Sequence, residues 1–152
     1  ALVLDVLDDP AARVEAFGTE TPLEFPFPAA AKTGTSRHFT DNWAVATTAG
    51  FTVAAWMGDG TGRAMAGVSG VSGAGPLLHR AVMLTALRHD PGVLPTPAEV
   101  GARPAEICRL SGARPGARCP RGVEWFAPGH APGDTCAWHG EAGVRLPDEY
   151  AE

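Results

Sequence analysis

Apolar residues recur at helical spacing from Leu2 to Leu7, and the segment closes at Asp8, Asp9 and Pro10. Aspartate caps helices well and proline suits the first helical position, so a second short helix is predicted over 10–17. Gly18 stops it. The period then changes. Phe25 and Phe27 each precede a proline and are pushed into extended conformation. Residues 29–35 read as a strand, and 42–48 and 51–57 as two β-rich runs joined through Ala49 and Gly50 as a hairpin. A Gly/Ser loop follows over 58–75. Over 76–88 the helical period returns, with Leu77, Leu78, Ala81, Val82, Leu84 and Leu87 forming an apolar face that leaves Arg80 and Arg88 largely on another side.

After residue 90 this patterning ends. The stretch from Asp90 to Pro97 holds three prolines and reads as a stiff, extended linker. Beyond it there is no helical period. Short strands are predicted over 107–110 and 123–126, among turn signals at Ser111-Gly112, Pro115-Gly116, Pro128-Gly129 and Pro132-Gly133. Trp125 and Phe126 are the expected core of this part, and Trp43 and Trp56 belong to the expected core of the first.

Composition narrows the classes. The 19 glycines and 14 prolines make the chain rich in loops but stop short of a disordered composition. The net charge is −5, and the basic residues are spread singly, which argues against nucleic-acid binding. No apolar run reaches the length of a membrane span, and no signal peptide is present. Because Ala1 already sits in a helical pattern, the chain reads as a piece of a longer protein. All basic residues but one are arginine; the exception is Lys32.

Lys32 opens the tetrad Lys32-Thr33-Gly34-Thr35. Lys-Thr-Gly is one of three signature elements of penicillin-recognising acyl-transfer enzymes. An ammonium there supplies positive potential for a substrate carboxylate. The hydroxyls of Thr33 and Thr35 donate hydrogen bonds to it. Gly34 lets substrate approach the strand, and the backbone N–H of Thr35 helps stabilise a tetrahedral oxyanion.

The tetrad does not stand alone. The run from Phe25 to Ser36 resembles the Lys-Thr-Gly strand of class A penicillin-binding proteins, most closely their 1C branch. Flanking segments resemble that family in the same order: 7–13, Phe17-Gly18, 41–45, 53–58, 67–76, 107–112, Cys119-Pro120, 124–129 and 136–139. The resemblance implies an α/β (α+β) fold: the C-terminal part of a penicillin-binding/serine β-lactamase-like transpeptidase domain, with antiparallel strands and a terminal helix, then a small all-β domain. The implied division is 1–90 for the transpeptidase part, 91–105 for the linker and 106–152 for the start of the β domain, which reads as truncated.

The implied activity is D,D-transpeptidation, in which a serine attacks a peptidoglycan stem peptide, forms an acyl-enzyme and passes it to an acceptor amine. β-Lactams acylate the same serine. By the resemblance, Lys32 and Thr35 are catalytic, and Thr33, Gly34 and Ser36 bind substrate. The parent enzyme is expected to be membrane-anchored at the periplasmic face, to carry a glycosyltransferase domain, and to meet cell-wall proteins through its β domain. This chain departs from the pattern in two respects. It has no Ser-x-x-Lys, since Lys32 is the only lysine, and no Ser-x-Asn before the tetrad, since the only asparagine is Asn42. Alone, it is expected to be inactive. Ser69 and Ser72 lie in Gly-rich sequence but lack the spacing of a nucleophile elbow, and His38 reads as a solvated loop residue. Two other functions compete: a non-catalytic module that binds cell wall or protein, and a serine β-lactamase, which the added β domain disfavours.

Cys108, Cys119, Cys136 and His139 admit two readings. Cys136-x-x-His139 has metal-ligand spacing, and three thiols with an imidazole make a zinc set. An oxidising location favours instead a disulfide between two of the three, with one thiol left over. The disulfide is the preferred expectation. No cofactor is expected for the transpeptidase.

Overall fold

The computed structural model describes residues 1–150. The chain separates into two compact units, Ala1–Thr96 and Pro97–Glu152. In the first, helix α1 (Leu2–Asp8) leads directly into α2 (Pro10–Phe17). Asp9 caps α2 by accepting from Ala11 N at 2.9 Å, and Gly18 closes it at φ +78°, as the caps and proline predict. Asp8 reaches further along the chain. Its Oδ1 accepts from Ala29 N at 2.8 Å, which pins the entry to β1 (Ala30–Thr35).

Three antiparallel strands follow in the order β1, β2 (Asp41–Thr47), β3 (Thr52–Gly58). The turn between β2 and β3 is closed by Thr48, whose Oγ1 accepts from both Gly50 N and Phe51 N. Helix α3 (Ala74–Ala86) packs across β2 and β3. It begins two residues before the predicted start, in the sequence that reads as the end of the loop.

The core between α3 and the sheet is small-residue packing. Ala31, Ala44, Ala46 and Ala55 meet Leu23, Ala74, Leu78 and Val82, with Phe17, Phe25, Phe27 and Phe51 at the margin. Alanines on the inner sheet face let the helix lie close, but each buries little area. The apolar face predicted for α3 is only half right. Leu78 and Val82 are buried, whereas Leu77, Leu84 and Leu87 are exposed, because α3 meets the sheet along a narrower stripe. The outer sheet face corrects a second expectation. Trp43 and Trp56 are cross-strand partners there, 50% and 43% exposed, and Val45 lies beside them, so these tryptophans are not core. Trp56 Nε1 donates to Asp41 Oδ1 at 3.0 Å.

The second unit has a hairpin of β4 (Arg103–Cys108) and β5 (Arg121–Phe126) and a two-residue pair, β6 (His139–Gly140) with β7 (Gly143–Val144). The β4 pairing begins four residues before the predicted strand. Trp125 is exposed and Phe126 only half-buried, contrary to their expected core role. Among its described residues the buried ones are Pro97, Ala102, Cys108 and Cys136.

Candidate functional site

The tetrad occupies the last four residues of β1, an edge strand. Ser36 N donates to Asp41 O at 2.8 Å, which marks that pair as hydrogen-bonded. Bonded and non-bonded pairs alternate in an antiparallel ladder. The register Gly34 with Trp43 and Lys32 with Val45 therefore turns the peptide groups of Gly34 and Lys32 toward β2. Those of Thr33 and Thr35 face the outer edge, where no further strand pairs among the described residues. Lys32 Nζ reaches that edge and donates to the Thr33 carbonyl.

Side chains divide by strand pleat. Lys32 and Gly34 lie on the outer face, with open space where a Gly34 Cβ would stand. Thr33 is buried on the α3 side, and Thr35 Oγ1 accepts from Gly70 N at 2.8 Å. The hydroxyl of Thr35 keeps its own proton to donate. Ser36 is committed elsewhere: its Oγ bonds Thr40 Oγ1 at 2.8 Å and accepts from Asp41 N at 2.7 Å, closing the turn into β2. In that turn His38 is exposed and sits at φ +67°.

Two contributors are not apparent from the motif. The Gly/Ser loop packs beneath β1 and β2, where Gly70 sits so close that a Cβ would lie 2.8 Å from Gly34 O and 3.0 Å from Trp43 O. Asn42, fully buried and paired with Thr35 in register, donates from Nδ2 to Val68 O at 3.0 Å. Ser69 and Ser72 bond each other at 3.1 Å within this loop.

In the second unit, four separated residues converge. Cys108 ends β4 and enters a turn in which Gly112 N donates to Cys108 O at 2.9 Å and Gly112 takes φ +72°. Arg109 N donates to Pro120 O at 2.9 Å, which draws Cys119 alongside. Cys136 N donates to Arg114 O at 2.8 Å, and β6 carries His139. The three Sγ atoms and a ring nitrogen of His139 lie within 4.8 Å of one another. His139 Nδ1 is 3.7 Å from Cys108 Sγ and 3.4 Å from each of Cys119 and Cys136 Sγ. The expected disulfide is not formed: all three thiols are free and face one imidazole instead of pairing.

The surroundings tune each thiol differently. Hydrogen bonding from the Ser111 hydroxyl, with help from His139 and the Trp138 N–H, outweighs burial and lowers Cys136 to about 6. Burial pushes Cys108 up, but donors at Ser111 and Leu110 bring it below the ordinary thiol value. Burial dominates at Cys119 and raises it. Ser111, three residues past Cys108, belongs to no ligand or catalytic motif; its only signal in the sequence is its place in a Ser-Gly turn.

Residues 101–141 match a family model described as penicillin-binding protein 1A, C-terminal domain. The matched stretch holds all three cysteines and His139 and lies wholly in the second unit. It supports, for this part of the chain, the C-terminal region of a class A penicillin-binding protein. The match spans 41 of the 152 residues and does not single out the 1C branch. No curated protein matches the chain. Among the described residues, no helix is long and apolar enough to cross a membrane.

Proposed function

We propose that the first unit is the C-terminal part of the transpeptidase domain of a class A penicillin-binding protein, most similar to the 1C branch, and that the second unit is its C-terminal β domain. The observation that carries this reading is the tetrad on an edge strand. At that edge Thr35 offers its carbonyl and N–H, and Thr33 its N–H, to an extended substrate or an oxyanion, while Lys32 holds the Thr33 carbonyl. Lys32 adds a positive charge beside that edge, Thr35 a hydroxyl, and Gly34 leaves the outer face open. Away from the β1 edge, the exposed apolar side chains of β2 and β3, Trp43, Val45 and Trp56, are then where the rest of the transpeptidase domain packs, leaving the face at Gly34 open.

In this role the strand forms one wall of a cleft. A serine from another part of the enzyme attacks the penultimate D-alanine carbonyl of the stem peptide. The Thr35 N–H stabilises the developing oxyanion, and the acyl group passes to an amine of a neighbouring strand. These 152 residues lack Ser-x-x-Lys, so the chain alone does not acylate. The enzyme is membrane-anchored and works at the extracytoplasmic face.

Fluorescent penicillin labelling of the full-length enzyme that contains this sequence tests the proposal. Wild type should label, and Lys32→Ala should label about 100-fold more slowly, the scale of losing one charge-stabilising group. The isolated chain should not label. Equal labelling rates for wild type and Lys32→Ala would remove the tetrad from the acyl-transfer site.

A further inference from the structure

We propose that Cys108, Cys119, Cys136 and His139 form a tetrahedral structural zinc site that serves as the core of the second unit. Three observations carry it. The first is stoichiometric. A neutral imidazole Nδ1 has either one proton or one lone pair, so it can make a single hydrogen bond. Here it faces three sulfurs at 3.4–3.7 Å, more than hydrogen bonding can use. A shared centre accounts for all three.

The second is metric. Zn–S of about 2.3 Å and Zn–N of about 2.0–2.1 Å at the tetrahedral angle put each sulfur about 3.6 Å from the nitrogen. The observed separations bracket that value. The sulfurs also have polar support suited to thiolates: Gly116 N donates to Cys119 Sγ at 3.2 Å, and Trp138 N donates to Cys136 Sγ at 3.4 Å. Four protein ligands fill a tetrahedron and leave no open position, so the site is structural.

The third is energetic. Among the described residues the buried apolar cluster lies entirely in the first unit. In the second, the most deeply buried side chain is Cys108, and Trp125 and Val123 are exposed. A unit this small with so little apolar burial needs a disulfide or a metal to hold its loops together. The thiols are free and gathered around His139. Sulfur-rich tetrahedral coordination selects zinc over harder divalent ions, which prefer oxygen.

The test uses the full 152-residue chain, purified under reducing conditions without chelator. Elemental analysis should find a single zinc ion per chain. Cobalt substituted for it should show the visible bands of a tetrahedral ion and near-ultraviolet thiolate charge transfer. Removing the metal with a strong chelator should collapse the amide dispersion of residues in the second unit, and added zinc should restore it. Cys119→Ser should weaken zinc binding by about 100-fold or more, the loss expected when a ligand rather than its support is removed. Because that variant can also fail to fold, His139→Cys provides a control: a fourth thiolate should keep the metal and shift the cobalt spectrum. Metal-free chain with a folded second unit, iron in place of zinc, or a disulfide between any two of the cysteines would each overturn the assignment.

Discussion

Gly34→Ala separates what the tetrad does for folding from what it does for chemistry. A Cβ at residue 34 would meet nothing within 4 Å, and the backbone there is not in the left-handed region. Glycine inside a strand is worse than alanine by about 0.5–1 kcal/mol, because it loses more backbone entropy on folding. The substitution should therefore stabilise the chain by about that amount, roughly a two- to fivefold gain in the folding equilibrium and about 2–8 °C in melting midpoint. Gly70→Ala is the matched opposite. Its Cβ would press on Gly34 O, Trp43 O and Thr33 Cβ at 2.8–3.1 Å, atoms held by the sheet. Overpacking of that kind costs about 1–3 kcal/mol. Thermal and urea unfolding of both variants, followed by circular dichroism, reads the two signs. In the full-length enzyme the added methyl at residue 34 would stand on the face left open to substrate, so Gly34→Ala should label with penicillin more slowly despite folding better. If Gly34→Ala lowers the midpoint as far as Gly70→Ala, residue 34 has no open face and the argument for its role fails.

Three further outcomes follow from the same geometry. Leu78→Ala, at a fully buried position of α3, should cost about 2–5 kcal/mol in urea unfolding, whereas Leu87→Ala, 80% exposed, should change stability by less than about 0.5 kcal/mol. Asn42→Asp replaces the donor to Val68 O with a buried carboxylate that nothing pairs, and should destabilise by about 3 kcal/mol or more at neutral pH. The isolated chain, with open sheet edges and an apolar face at Trp43 and Trp56, should gain apparent mass with concentration in sedimentation, and Trp43→Glu should return it toward monomer.

Residue chemistry and spacing alone carried the local decisions. Asp9, Pro10 and Gly18 bound α2 because capping and a fixed φ act within a few residues. The two strands around Ala49 and Gly50 fall within one residue of their predicted limits, since the turn constrains its own ends. The tetrad was visible as a motif, and so were the four residues of the cysteine cluster. What sequence could not assign was facing and company. Which leucines of α3 are buried depends on where the sheet lies beneath it, so Leu77, Leu84 and Leu87 read like Leu78 until the contact exists. Trp43 and Trp56 look like core because large aromatics usually are, yet they lie on the face that α3 leaves uncovered. Ser36 matches a substrate-binding position in the motif, but the turn to Asp41 takes its hydroxyl. The thiols show the division most plainly. Three cysteines in sequence permit either a bridge or a ligand set. Only the folding of Cys108, Cys119 and Cys136 around one nitrogen of His139 favours the proposed ligand set, because that choice rests on distances between residues up to 31 positions apart.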